Sequence, residues 1–170
     1  MQTAELEPLR QWLSQTTGLQ ADLLGRQRLE RAVAHRLKQL ACASPEAYRQ
    51  RLQGDPAEQQ QLLEELVVGE SWFLREPRSF VQLQELAGRQ RQRPLRLLGC
   101  GCSGGEEPYS LVIALLEIGL TLPQLQVEVI DISAVALQRA AEALYGSHAL
   151  RGMDPARLAR FFLPEERRWR

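Results

Sequence analysis

Residues 98–110 read LGCGCSGGEEPYS, four glycines among small side chains, with the carboxylates of Glu106 and Glu107 near the far end. An apolar run precedes this stretch and an amphipathic pattern follows it. A strand, a glycine turn and a helix N-terminus form a corner whose free N–H groups and positive helix end face a ligand. Gly99, Gly101 and Gly104 also match G-x-G-x-x-G, a pattern that glycine-rich turns meet easily. Two features argue against a pyrophosphate ligand. Glu106 and Glu107 stand where such a ligand needs neutral or positive groups. Asp131, which ends the next apolar run, comes about 30 residues after Gly101, against about 20 in dinucleotide sites. An acidic rim suits a cofactor with positive charge and ribose hydroxyls. S-adenosylmethionine has an ammonium, a sulfonium and a ribose. The two glutamates would also favour a helix N-terminus by themselves, and Asp131 could simply act as a cap. Spacing alone leaves those readings open.

A second stretch, GESWFLREP from Gly69 to Pro77, is neither periodic nor of ordinary loop composition. It sets Arg75 among Glu70, Glu76 and two aromatic residues. Taken alone, Arg75 reads as an internal ion-pair partner of one of those glutamates. Cys42, Cys100 and Cys102 are odd in number, which argues against a disulfide framework. Neither His35 nor His148 has ligand-like spacing to them, so no metal site is expected. Reduced thiols and a cytoplasmic setting are the simpler expectation.

These groups need elements to position them. Residues 1–68 read as a helical domain. Leu6, Leu9 and Leu13 recur at helical spacing, and TTGLQADLLG supplies a turn. Leu29, Val33, Leu37 and Leu40 then form an apolar stripe. The other faces of that second helix carry Arg26, Arg28, Arg31, Arg36 and Lys38 against Glu30. Ser44-Pro45 and Asp55-Pro56 each pair an N-cap with a first-turn proline, opening two more helices. Residues 69–93 hold the GESWFLREP segment, a short helix with Phe80, Leu83 and Leu86 on one face, and a polar joint, GRQRQRP. From residue 94 to 170 the grammar is strand, turn, helix, strand. Leu95 to Gly99 and Val127 to Ile130 are the strands. One helix follows the glycine loop, one runs from Ser133 to about Tyr145, and a last one opens at Asp154-Pro155. This is the βαβα start of a parallel sheet in an α/β fold. Two strands cannot bury both faces of such a sheet, and nothing after Asp131 reads as a third. The expectation is a chain cut within a larger domain. Trp12, Tyr48 and Phe80 are expected in the core.

Composition narrows the functional classes. Apolar residues make up 44% and charged residues 25% of the 170, the profile of a globular protein. A formal net charge of zero offers no field to attract nucleic acid or an anionic membrane. The most apolar segment, LVIALLEIGL, is interrupted by Glu117 and too short to insert into a membrane.

Three stretches together resemble one family. GCSGGEEPYSL is similar to the GCSTGEEPYSL signature of the bacterial CheR-type chemotaxis receptor methyltransferases. GESWFLREPRSF resembles their NETSFFRDPEHF segment. DISAVALQRAAEALYGSHALRG resembles their Asp-Ile-Ser strand end, its following helix and a Leu-Arg-Gly. Order and spacing agree throughout. The resemblance implies a small all-α N-terminal domain followed by the first half of a Rossmann-like S-adenosylmethionine-dependent methyltransferase domain. It implies transfer of a methyl group to glutamate side chains of chemoreceptor-type proteins, leaving S-adenosylhomocysteine. Ser71 falls at a threonine near the cofactor, and Arg75 at an arginine beside the methyl-transfer site. Glu106 corresponds to the acid on the methionine amino group, and Asp131 to the acid on the ribose and adenine side. Gly101 and Gly105 shape the loop between them. The family docks its N-terminal domain on acidic receptor helices, which assigns Arg28, Arg31, Arg36 and Lys38 to that contact.

The chain departs from the family pattern at Gly69 (usually asparagine), Leu74 (phenylalanine) and Gly104 (threonine). Trp72, with a residue other than asparagine at 69, leans towards the branch linked to surface sensing and biofilm signalling. The later strands of the family domain, with their Asn-Val segment, have no counterpart before Arg170. A rival reading follows from that: a non-catalytic receptor-docking module retaining only part of the cofactor site.

Overall fold

The structure, a computed structural model, describes residues 3–19, 24–67, 69–90 and 94–170. The chain divides into two compact units, residues 1–67 and 68–170.

In the first unit, four helices run Thr3–Thr17 (α1), Arg26–Gln39 (α2), Pro45–Gly54 (α3) and Pro56–Leu66 (α4). The expected caps form. Ser44 Oγ accepts the Ala47 N–H at 3.2 Å, and Asp55 Oδ1 accepts the Glu58 N–H at 3.0 Å. Each replaces an orphan donor's water with a side chain at a proline-started first turn. Leu6, Leu9 and Leu13 meet Leu29 and Val33 of α2 and Leu62 and Leu66 of α4 in one core. Leu37 and Leu40 pack at its margin. The turn around TTGLQADLLG falls partly on residues 20–23, outside the described residues.

Inside this core Glu58 is 4% exposed. Its carboxylate accepts two hydrogen bonds from the Arg36 guanidinium, at 2.9 and 2.6 Å, and one from the Tyr48 hydroxyl at 2.7 Å. This corrects the reading of Arg36 as part of an outward basic face. Its guanidinium is turned inward and committed to Glu58. Arg28 is half-buried, with Nη1 3.5 Å from the Leu66 carbonyl, while Arg31 and Lys38 are exposed. Tyr48 is fully buried, as expected, and Trp12 packs at the core's edge.

The second unit begins with the 69–76 segment and the helix Pro77–Gly88 (α5). Next come Leu95–Cys100 (β1), Glu106–Glu117 (α6), a 3-10 turn at Leu122–Gln124 and Leu125–Ile130 (β2). Ala134–Glu142 (α7), Pro155–Phe161 (α8) and a two-residue antiparallel pair, Pro164–Glu165 (β3) with Arg168–Trp169 (β4), complete it. Strands β1 and β2 are parallel, in register from Leu95↔Leu125 to Cys100↔Ile130, with α6 as the crossover. One face of the pair, with Leu95, Leu97 and Leu125, packs on Ala87, Leu115 and Leu120. The other is open: Leu98 is 61% and Ile130 55% exposed. The residues of the GRQRQRP joint at 91–93 lie outside the described residues.

Three sequence expectations shift here. On α5, Leu86 is exposed and Ala87 buried instead, because a short helix presents a narrow stripe to α6. Phe80 is only half-buried and lines a cleft. Helix α7 ends at Glu142, where Ala143 turns left-handed at φ 51°. Tyr145 then leaves the helix and pairs its backbone with Trp169. Its ring enters a second core with Phe73, Ile113, Leu150 and Phe162. Phe73 meets Tyr145 and Phe162 edge-to-face at 4.8 and 4.9 Å, the arrangement that ring quadrupoles favour.

Candidate functional site

The corner between β1 and α6 is built by backbone conformations that only a few residues adopt. Gly101 has φ 84° and Gly105 φ 98°. The Gly101 N–H donates to the Ile130 carbonyl at 2.9 Å, holding the loop to β2. At Gly105 a Cβ would lie 2.6 Å from the Tyr145 hydroxyl and 3.0 Å from Ala140, so no side chain fits. At Gly101 a Cβ would meet nothing within 4 Å. The loop is closed on its Gly105 side and open at Gly101.

Both acids grip this loop. Asp131 Oδ2 accepts the N–H groups of Cys102 at 2.7 Å and Ser103 at 3.1 Å, while Oδ1 accepts that of Ser133 at 2.8 Å. Glu106, 9% exposed, accepts the Gly104 N–H at 2.9 Å. The cap-like role weighed for Asp131 is therefore real, but a carboxylate has about four lone-pair sites, so both acids keep acceptor capacity. Burial, reinforced by the charge of Asp131, pushes the Cys102 thiol up, which keeps it protonated and inert. Burial, with Tyr109 and Glu106 nearby, likewise pushes the Tyr145 phenol up, so it stays a donor to the Gly104 carbonyl at 3.0 Å.

The segment that carries Ser71 and Arg75 is fastened to the same corner. Ser110, one turn into α6 and fully buried, donates to the Glu106 carbonyl at 2.5 Å and accepts the Leu74 N–H at 2.9 Å. The Phe73 N–H bonds the Ala149 carbonyl at 2.8 Å. Ser110 was not singled out from sequence. A serine four residues after Glu106 signals an internal helix bond, but nothing local signals the partner at Leu74.

Among the described residues, the expected site residues fall in different hollows. Ser71 and Arg75 line a cleft of about 190 Å³ with Trp72, Phe80, Glu107 and Leu111. Glu106 borders another hollow with Gly104, Arg139 and Tyr145. Asp131, Gly101 and Gly105 belong to the loop between the strands and α6. On the loop itself, Ser103 Oγ is buried and has no hydrogen-bond partner among the described residues. It lies 3.9 Å from where a Cβ on Gly69 would be. An orphan hydroxyl, spare carboxylate acceptors and open space at Gly101 fit a group with an ammonium and ribose hydroxyls.

Comparison with known proteins shows the family of both units. A family profile described as CheR methyltransferase, SAM binding domain, matches residues 69–170. Another, CheR methyltransferase, all-alpha domain, matches residues 4–67. The chain is 42% identical over 145 residues to a probable biofilm formation methyltransferase WspC of Pseudomonas aeruginosa, covering 82% of this chain and 34% of that protein. It is 38% identical over 156 residues to the WspC of Pseudomonas putida, covering 89% of this chain and 37% of that protein. Chemotaxis protein methyltransferase 2 of Pseudomonas aeruginosa is 33% identical over 162 residues, 94% of this chain and 58% of its own length. The chain thus spans a third to somewhat over half of these relatives. It carries the all-α domain and a partial SAM-binding domain, and it belongs to the CheR methyltransferase family.

Proposed function

We propose that this chain holds S-adenosylmethionine at the β1–α6 corner and takes part in methylating glutamate side chains of chemoreceptor-type signalling proteins in the cytoplasm. The observation that carries the reading is the corner itself. Two acids brace a glycine loop, and a buried serine fastens an arginine-bearing segment to the same helix. Asp131 would receive the ribose side and Glu106 the ammonium, with Ser71 beside the reacting end. When bound, the cofactor supplies a methyl group already activated on a sulfonium sulfur.

The remaining chemistry asks little of the protein. A glutamate side chain titrates near ~4.3 and is ionised at neutral pH, so no general base is needed. Arg75 would hold that carboxylate by a charged, two-pronged contact, and catalysis then comes from orientation and exclusion of water. In the first unit Arg28, Arg31 and Lys38 would face the acidic receptor helices, without Arg36. No described helix is long and apolar enough to cross a membrane.

A second reading, a docking module with an incomplete cofactor site, draws on two observations. Gly69 brings no side chain to the site, and the β1–β2 pair is open on one face. Calorimetric titration with S-adenosylhomocysteine separates the two. The methyltransferase reading expects binding by the folded chain that Asp131→Ala abolishes or weakens by more than about tenfold, the scale of a charge-assisted hydrogen bond. A folded chain that binds none supports the docking module.

A further inference from the structure

Trp72 has no part in the scheme above, yet two cations share its ring. The guanidinium carbon of Arg151 lies 3.8 Å from the ring centroid and that of Arg75 4.5 Å. Arg151 comes from the Leu-Arg-Gly turn that precedes α8. Like charges gathered on one indole repel each other, so the arrangement gains if an anion joins them. Stacking also leaves the N–H edges of a guanidinium free for a planar carboxylate.

A carboxylate is in fact already there. Glu70 Oε1 lies 3.4 Å from Arg151 Nη2 and 3.5 Å from His148 Nε2, and Arg151 Nη1 itself contacts His148 Nε2. Arg75 Nη1 donates to the Glu70 backbone carbonyl at 3.3 Å. Both arginines therefore converge on residue 70. Tight charge-assisted bonds run at about 2.7–2.9 Å, so the Glu70 contacts are loose. Its side chain is 62% exposed and open to displacement.

We propose that Trp72, Arg75 and Arg151 form a clamp for the glutamate carboxylate of an acidic protein segment, with Glu70 as an internal stand-in that the incoming carboxylate displaces. The clamp rests on the methyltransferase reading and adds to it a second carboxylate-holding cation and the aromatic plate that carries both. A carboxylate partner is favoured over other anions because a carboxylate is what the cluster holds.

The test titrates the folded chain with a glutamate-rich helical peptide and, in parallel, with S-adenosylhomocysteine. Arg151→Ala should weaken peptide binding about tenfold, as loss of one charge-assisted bond does. Arg151→Lys should recover only part of it, since an ammonium is not a planar fork. Glu70→Gln should tighten the peptide by about threefold, the scale of one exposed ion pair. Affinity for S-adenosylhomocysteine should stay unchanged in all three. Trp72→Ala should act like Arg151→Ala; if it unfolds, seen by circular dichroism, Arg151→Ala and Glu70→Gln decide alone. Unchanged peptide affinity in Arg151→Ala, or weaker binding in Glu70→Gln, overturns the clamp. So does a wild-type chain that binds S-adenosylhomocysteine but no peptide. A wild-type chain that binds neither overturns the methyltransferase reading together with the clamp.

Discussion

Glu58 in the helical unit and Glu106 in the α/β unit are both nearly excluded from solvent, 4% and 9% exposed, but their surroundings differ. Glu58 receives three side-chain donors from Arg36 and Tyr48. Glu106 receives the Gly104 N–H and borders a hollow. Asp131 stands between these cases, accepting three backbone N–H groups at the edge of a loop whose Gly101 side is open. A buried carboxylate with every partner supplied by the chain is architecture. One whose partners are the backbone of a glycine turn, with acceptor capacity left, is equipped to meet something else. The orphan Ser103 hydroxyl belongs to the second kind.

The largest effect should come from breaking the saturated cluster. Glu58→Ala leaves the Arg36 charge and the Tyr48 hydroxyl unpaired, and loss of one partner of a buried pair costs about 3–5 kcal/mol. Thermal unfolding followed by helical circular dichroism would read it, with affinity for S-adenosylhomocysteine unchanged. The same cluster sets an acid limit. Burial alone would raise the Glu58 pKa, but hydrogen bonds from Arg36 and Tyr48 outweigh it and hold the carboxyl below the usual range. The unfolded value is near ~4.3, so this stabilisation is complete above that pH and fades as pH falls towards the folded value. Glu58→Ala should flatten the stability profile below about pH 4. If the mutant loses cofactor affinity but no stability, the contrast between the two carboxylates is wrong.

Next in size is the glycine pair that shapes the loop. Gly105→Ala adds a Cβ against Tyr145 and Ala140 at φ 98°. Strain and overpacking together should cost roughly 2–4 kcal/mol in the second unit and disable the loop. Gly101→Ala meets open space, so only the backbone term of about 1 kcal/mol applies. Comparing the two unfolding midpoints, with S-adenosylhomocysteine titrations alongside, separates a wall of the site from its mouth. Equal losses would mean that Tyr145 yields.

How much of this was legible beforehand depended on whether the cause was local. The leucine stripes of α1 and α2, the caps at Ser44 and Asp55, both parallel strands and the glycine corner follow from spacing and turn chemistry within a few residues. The pairing of Arg36 with Glu58 did not show, because periodicity assigns a face but not a polar partner 22 residues away. Leu86 and Ala87 exchanged places because the width of a stripe on α5 is set by α6. After α7 ends at Glu142, Tyr145 docks its ring on Phe73 and bridges its backbone to Trp169 of β4, non-local contacts that no local propensity encodes. In the site, the residues of the loop could be read, whereas the Ser110 bridge and the cations on Trp72 needed the fold.

The smallest effect is the most diagnostic. Ser103→Ala removes a buried hydroxyl that has no partner, and an unsatisfied group of that kind costs about 1–3 kcal/mol to bury. Stability should therefore hold or rise slightly, the reverse of Glu58→Ala. If the hydroxyl is kept for the cofactor, affinity for S-adenosylhomocysteine should still fall, by about threefold to tenfold for one neutral hydrogen bond. Gly69→Asn tests the same atom from the other side. A Cβ there sits at ordinary contact distance, 3.9 Å from Ser103 Oγ, so a side chain fits. An amide at that position can satisfy the hydroxyl and present its remaining donors to a ligand. It should raise the unfolding midpoint, and in the Ser103→Ala background that gain should vanish. If both single variants leave the titration unchanged, Ser103 is a packing residue, and the open side of the loop is Asp131's alone.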